Sequence, residues 1–104
     1  MQKLYWKGIS HDDRIKAIGE ITATIDKHGI ILNFQRFSDI ILSLVVEVEA
    51  DKLNSLYDCL CKILILEGFD RNTPILPGCY TLFLNITFSK GTGDLEIEVP
   101  NIPE

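Results

Sequence analysis

Apolar residues recur along this chain with two different periods, and each period predicts a different kind of element. Residues 3–9 are rich in strand-forming side chains and lead into the polar cluster 10–13, whose side chains can cap a helix. From Asp13 onward the spacing of three and four residues predicts an amphipathic helix, which Gly29 ends as a residue with left-handed dihedral angles. The predicted stripe of this helix consists of Ile15, Ile18, Ile21, Thr22 and Ile25.

Alternation with a period of two predicts a pair of strands in the middle of the chain. Ile30, Leu32 and Phe34 alternate with their neighbours, and residues 40–49 alternate again after the polar break at 38–39. Two antiparallel strands joined by a short turn are the simplest interpretation. The inner face of the second of these strands is expected to carry Leu42, Leu44, Val46 and Val48.

The rest of the chain predicts a second helix and a hairpin. Asp51 can cap a helix whose apolar stripe runs from Leu53 to Leu64, with Gly68 as its expected end. Turn-forming residues then fill 70–78, and two alternating segments, 80–88 and 95–99, are separated by a glycine-rich turn. We therefore expect a C-terminal hairpin that the prolines at 100 and 103 bring to an end.

The order of these elements predicts an α+β fold. Each helix has one apolar stripe and must cover one face of a sheet, which gives a two-layer sandwich of the ferredoxin-like βαββαβ type. We expect an antiparallel sheet with both helices on one face and an extra C-terminal strand. The 104 residues should form a single domain, with a core at 3–69 and a C-terminal loop and hairpin at 70–104.

Charge and apolar run lengths exclude several classes of partner. The net charge is −5, whereas proteins that bind nucleic acid need a cationic surface for the phosphates. No apolar run approaches the roughly 18–20 residues that span a bilayer, and the first ten residues lack the apolar segment of a signal peptide. We therefore expect a cytoplasmic protein with no nucleic-acid or membrane partner, and with Cys59, Cys61 and Cys79 as free thiols.

The sequence shows no constellation typical of an enzyme. His11 and His28 should lie at opposite ends of the first helix, too far apart to share a metal ion, and no nucleophile, base and acid are recognisable as a set. We therefore expect no catalytic residues, no metal and no cofactor. The turn from Ser10 to Arg14 has two interpretations: it caps the helix, or its carboxylates and guanidinium bind the two ends of a zwitterion.

One long segment resembles the ACT domain, the regulatory βαββαβ module attached to amino-acid biosynthetic enzymes. The resemblance covers residues 4–66 and is carried by the string GISHDDRIKAIGEITATIDKHGIILNFQRFSDIILSLVVEVEADKLNSLYDCLCKI. It implies a non-enzymatic regulatory module that works as a homodimer or on a partner enzyme and senses an amino acid or a similar small ligand at the dimer interface. The ligand-binding residues that we expect on this basis are Ser10, His11, Asp12, Asp13, Arg14, Asn33 and Gln35.

Two departures from the family pattern support an alternative. Lys16 stands where the family usually has glycine, and Ile31 stands where it often has asparagine. A long side chain at position 16 would crowd a ligand at the start of the helix. The alternative is therefore a protein-interaction or dimerisation domain that keeps the fold and has lost ligand binding.

Overall fold

A single five-stranded sheet and two helices make up the fold. The computed structural model describes residues 2–38, 40–70 and 72–89. Within them none of the helices is long and apolar enough to cross a membrane. The α+β class predicted from the sequence is confirmed. The strands are β1 (Gln2–Ser10), β2 (Gly29–Arg36), β3 (Ile41–Glu49), β4 (Ile65–Glu67) and β5 (Cys79–Phe88), and the helices are α1 (Arg14–Asp26) and α2 (Leu53–Cys61), the latter preceded by a 3₁₀ turn at Ala50–Lys52.

The strand order is β2-β3-β5-β1-β4, with β5 in the centre of the sheet. β5 pairs in parallel with all nine residues of β1 and antiparallel with all nine residues of β3. The sheet is therefore mixed rather than wholly antiparallel, and β5 separates β1 from β3. Every second residue of β5 from position 80 to position 88 is buried, and a strand with a fully apolar face gains more from a central position than from an edge.

The core lies between the helices and one face of the sheet. The inward face predicted for the strand at 40–49 is confirmed, because Leu42, Leu44, Val46 and Val48 are all buried. The main core residues are Trp6, Ala17, Ile21, Ile25, Leu42, Leu44, Val46, Val48, Leu53, Leu56, Leu60, Leu64, Tyr80, Leu82, Leu84, Ile86 and Phe88.

The alternate residues of the sheet point to its other side, which we call the open face. On the three central strands this face carries Lys7, Ile9, Ser43, Asn85 and Thr87 among others, each exposed or half-buried. A face with so many polar side chains needs no second layer of helices. It is therefore the side on which β1, β3 and β5 meet solvent or a ligand.

The second helix is shorter than the sequence predicts. It ends at Cys61, and the apolar residues that follow form the short strand β4, which pairs antiparallel with β1. The Tyr57 hydroxyl donates a hydrogen bond of 3.0 Å to the Leu66 carbonyl and ties this strand to the helix. The expected helical stripe to Leu64 was wrong beyond residue 61, because a short apolar run fits a strand as well as a helix.

Both glycines expected to end helices have other roles. Gly68 follows β4 with φ of 112°, and a Cβ there would lie 2.5 Å from the Tyr5 carbonyl oxygen of the neighbouring strand. Gly29 is the first residue of β2 without a left-handed dihedral angle, and a Cβ at this position would collide with the Glu47 carbonyl oxygen. Close approach of two strands explains Gly29, whereas Gly68 also needs the positive φ.

Two further expectations from the apolar pattern were wrong. A bulge at Leu32 shifts the register of β2 against β3, so Ile30 and Phe34 do not share a face. Ile15 belongs to the predicted stripe of the first helix but is 76% exposed, whereas Ile21 and Ile25 are buried. At 100° per residue, Ile15 lies about 120° around the helix from the side formed by the buried Ala17, Ile21 and Ile25, so its side chain faces away from the sheet.

A long loop connects β4 to β5 and is held by its own hydrogen bonds. The Asp70 carboxylate accepts from the Asn72 backbone N–H at 2.9 Å and from the Thr73 hydroxyl at 2.8 Å, and both bonds lower the pKa of this carboxyl. The second strand of the predicted C-terminal hairpin, 95–99, lies outside the described residues.

Burial predicts which leucines the fold needs. Leu44 on the inner face of β3 and Leu60 in α2 are 1% and 0% exposed. We expect Leu44→Ala and Leu60→Ala each to lower the free energy of unfolding by ~2–5 kcal/mol, as truncation of a core leucine does. Chemical denaturation measures this, and Glu47→Ala on the open face is the control. Equal effects of Leu44→Ala and Glu47→Ala would contradict the assignment of the two faces.

Candidate functional site

The turn between β1 and α1 holds five of the predicted ligand-binding residues, and hydrogen bonds within the protein occupy several of them. Ser10 is buried at the end of β1, and its Oγ accepts the Asp12 backbone N–H at 3.3 Å. Its carbonyl accepts the backbone N–H of Ser89 at 2.9 Å and the Ser89 hydroxyl at 3.1 Å. Ser10 therefore joins the end of β1 to the residue that follows β5.

His11 takes part in the same connection. Its Nδ1 lies 2.6 Å from Ser89 Oγ. Because the single hydroxyl proton of Ser89 is donated to the Ser10 carbonyl, Nδ1 of His11 must be the donor in this bond. The imidazole thus holds Ser89, the residue that follows β5.

The Asp13 carboxylate caps α1. Its Oδ2 accepts the Lys16 backbone N–H at 3.2 Å, and its carbonyl accepts the Ala17 N–H at 2.8 Å. A ligand carboxylate at this helix start would compete with the Asp13 side chain for the same N–H group. Arg14, the first residue of the helix, is half-buried. Of the two interpretations of this turn, the geometry favours helix capping.

Asn33 and Gln35 lie far from this turn. Both are on β2, opposite Val45 and Ser43 of β3, and they face the open side of the sheet. The strands β3 and β5 stand between β2 and β1, so the two strands are about 14 Å apart at the usual spacing of 4.7–4.9 Å. The structure therefore brings Ser10, His11, Asp12, Asp13 and Arg14 together but places Asn33 and Gln35 elsewhere.

Sequence reasoning missed a groove on the open face. It has a volume of about 720 Å³ and lies across β3, β5, β1 and β4 near the end of the sheet where β1 and β5 stop. We call it the open-face groove. Its lining residues are Lys7, Gly8, Ile9, Phe37, Ile41, Ser43, Ile65, Glu67, Asn85 and Thr87.

Two cross-strand rows form the floor of this groove. The registers of the four strands align Ile41, Thr87, Ile9 and Ile65 in a mostly apolar row. The neighbouring polar row consists of Ser43, Asn85, Lys7 and Glu67. The signal in the sequence was the second set of alternate residues on each strand, but only the strand order brings these sets together.

The polar row is ordered by one short hydrogen bond. Ser43 Oγ donates to Asn85 Oδ1 at 2.6 Å, which fixes the orientation of the Asn85 amide. Two strand positions farther along, Tyr5 and Phe83 stack with ring centroids 5.0 Å apart. Gln35, one of the predicted site residues, is the neighbour of Ser43 on β2 and borders the same row.

The edge strand β2 exposes apolar side chains. Leu32 is 54% and Phe34 45% exposed, and Phe37 after the strand is 61% exposed. The opposite edge, β4, has only three residues. The two edges of the sheet therefore differ greatly in how much unpaired strand they offer.

No protein-family model matches this chain, and neither a curated protein nor a solved structure shows detectable similarity to it. The resemblance to ACT domains therefore stays a prediction from the sequence.

The capping role of Asp13 can be measured. We expect Asp13→Ala to lower the free energy of unfolding by about 1 kcal/mol, because the helix loses its N-cap hydrogen bond. Asp12→Ala removes the same charge one residue earlier without removing that bond, so it should lower the free energy of unfolding by less. Equal losses in the two variants would show that charge at the helix start, rather than the cap bond, is what matters.

Proposed function

We propose that this chain is a non-enzymatic interaction module that forms a homodimer through the edge strand β2. The observation that carries the proposal is the exposure of apolar side chains along the edge strand β2. β2 has eight residues and contains neither lysine nor proline, the side chains that often protect an edge from pairing. The opposite edge is short, which limits pairing there.

A second copy of the chain is the occupant that suits this edge best. When two identical strands pair antiparallel about a two-fold axis, every contact is formed twice. Leu32 and Phe34 of one copy would therefore approach the same residues of the other copy. The bulge at Leu32 leaves the segment from Asn33 to Arg36 as the regular part of the strand for this pairing. Burial of apolar area at a shared edge stabilises such a dimer.

The non-enzymatic part of the proposal rests on what the two histidines do. The Nδ1 of His11 is hydrogen-bonded to the hydroxyl of Ser89, the residue that follows β5. His28 donates from Nδ1 to the Thr24 carbonyl at 2.8 Å, and its Nε2 lies 3.1 Å from Ser55 Oγ, which connects the end of α1 to α2. Both imidazoles thus have structural partners.

The proposed fold relationship is a ferredoxin-like core with one inserted strand. If β5 is left out, the remaining strands lie in the order β2-β3-β1-β4, with the helices after β1 and β3 as in a split βαβ arrangement. An ACT-like regulatory dimer is consistent with this arrangement. An amino-acid ligand at the turn 10–14 remains a prediction, because the turn is already used for capping.

Light scattering tests the dimer. The chain has a mass of 11.8 kDa, and we expect the wild type to show about twice that mass at micromolar concentration. Phe34→Lys should give the monomer mass, because it places a charge on the shared edge.

Ile15→Lys is the matched control, since it also replaces an exposed apolar residue by lysine but lies on α1. It should leave the dimer intact, and circular dichroism should show that both variants fold. A wild type of 11.8 kDa across a wide concentration range would contradict the proposal.

A further inference from the structure

We propose that the open-face groove binds a small organic acid with an aliphatic or aromatic body. The apolar part of the ligand would lie on the row of Ile9, Ile41 and Ile65, and its carboxylate would lie between Asn85 and Lys7. Apart from Phe37, which follows the edge strand β2, the lining residues lie on β1, β3, β4 and β5, away from the edge through which we propose that the dimer forms.

The groove has the volume of a ligand site, and one half of its floor is apolar. Ile41, Ile9 and Ile65 lie in one cross-strand row, and Phe37 borders the groove beside them. Ile9, Ile41, Ile65 and Phe37 are all exposed in the structure. The volume of about 720 Å³ lies within the range of roughly 300–1,000 Å³ typical of small-molecule sites. An apolar ligand body would remove these four side chains from water.

The polar half presents hydrogen-bond donors side by side. Because Asn85 Oδ1 accepts from Ser43 Oγ at 2.6 Å, the two N–H donors on its Nδ2 are directed away from that bond. Lys7 is the direct neighbour of Asn85 across the parallel pair β1 and β5. Neighbouring strands are about 4.8 Å apart, so the two oxygens of one carboxylate can reach an amide donor and an ammonium donor together.

The position of Glu67 in the polar row affects which ligand charge the groove favours. It is the neighbour of Lys7 on β4, at the far end of the polar row from Ser43. A carboxylate held between Asn85 and Lys7 would lie about one and a half strand spacings, roughly 7 Å, from Glu67. An ammonium held by Glu67 would lie only about one spacing, roughly 5 Å, from Lys7. The row therefore favours an acid over an amine, with Glu67 weakening the acid's binding by repulsion.

Methyl NMR of the full chain tests the proposal, with octanoate as the probe and octanol and octylamine as its neutral and cationic counterparts. We expect octanoate to shift the methyl signals of Ile9, Ile41 and Ile65. Octanol and octylamine should bind at least about tenfold more weakly, because each lacks the charge-assisted hydrogen bonds.

Variants separate the carboxylate site from a general apolar surface. Lys7→Met should weaken octanoate binding by about tenfold or more, whereas Lys3→Met, the same change on the same strand beyond the groove, should leave it unchanged. Glu67→Gln should tighten octanoate binding and leave octanol binding as it was.

Several results would overturn the proposal. These are the absence of methyl shifts at millimolar octanoate, equal effects of Lys7→Met and Lys3→Met, or equal affinity for octanoate and octanol. Methyl shifts that depend on protein concentration without ligand would show that a second copy fills the groove. Because Phe34→Lys tests the dimer by mass, failure of either proposal can be recognised separately.

Discussion

The pairing of β5 along its full length with both β1 and β3 is the interaction on which the rest of this structure depends. It places the buried row from Tyr80 to Phe88 in the middle of the core, between residues contributed by both flanking strands. The same pairing puts Asn85 and Thr87 in the middle of the open face. Removal of this strand would leave both the core and the open-face groove without their central element.

Within residues 2–38, 40–70 and 72–89, the two helices cover one side of the sheet and leave the other side and one long edge uncovered. Proteins seldom leave large apolar areas exposed without a use for them. Among the described residues, two groups of exposed apolar side chains lie close together: one on β2, and one in the row that contains Ile9 and Ile65, with Phe37 between the two groups. The first group is suited to another strand, because it lies on an edge. The second is suited to a compact ligand, because it is a concave surface with donors beside it.

Local patterns predicted the parts of the fold that depend on neighbours in sequence. The Asp13 cap and the buried face of Leu44 and Val46 follow from spacing and capping chemistry alone. The change from helix to strand after Cys61 could not be predicted in the same way, because an apolar run of that length fits either element.

The long-range parts of the structure had no local signal. The alternating pattern placed residues 80–88 in a C-terminal hairpin with 95–99, and no local signal indicated that this strand pairs with both β1 and β3. Because β5 lies between β3 and β1, Asn33 on β2 is separated from the turn at Ser10 by two strands, and Asn85 on β5 lies next to Lys7 on β1. The residues of the capping turn were therefore recognisable from the sequence, whereas the groove, which four strands share, was not.

Nuclear Overhauser effects between backbone protons of neighbouring strands test the central position of β5 most directly. A central β5 should give effects that connect Leu84 to Trp6 on one side and to Leu44 on the other. Direct effects between the backbones of Trp6 and Leu44, with none from Leu84 to one of them, would show that β1 and β3 are neighbours and would contradict the central position of β5.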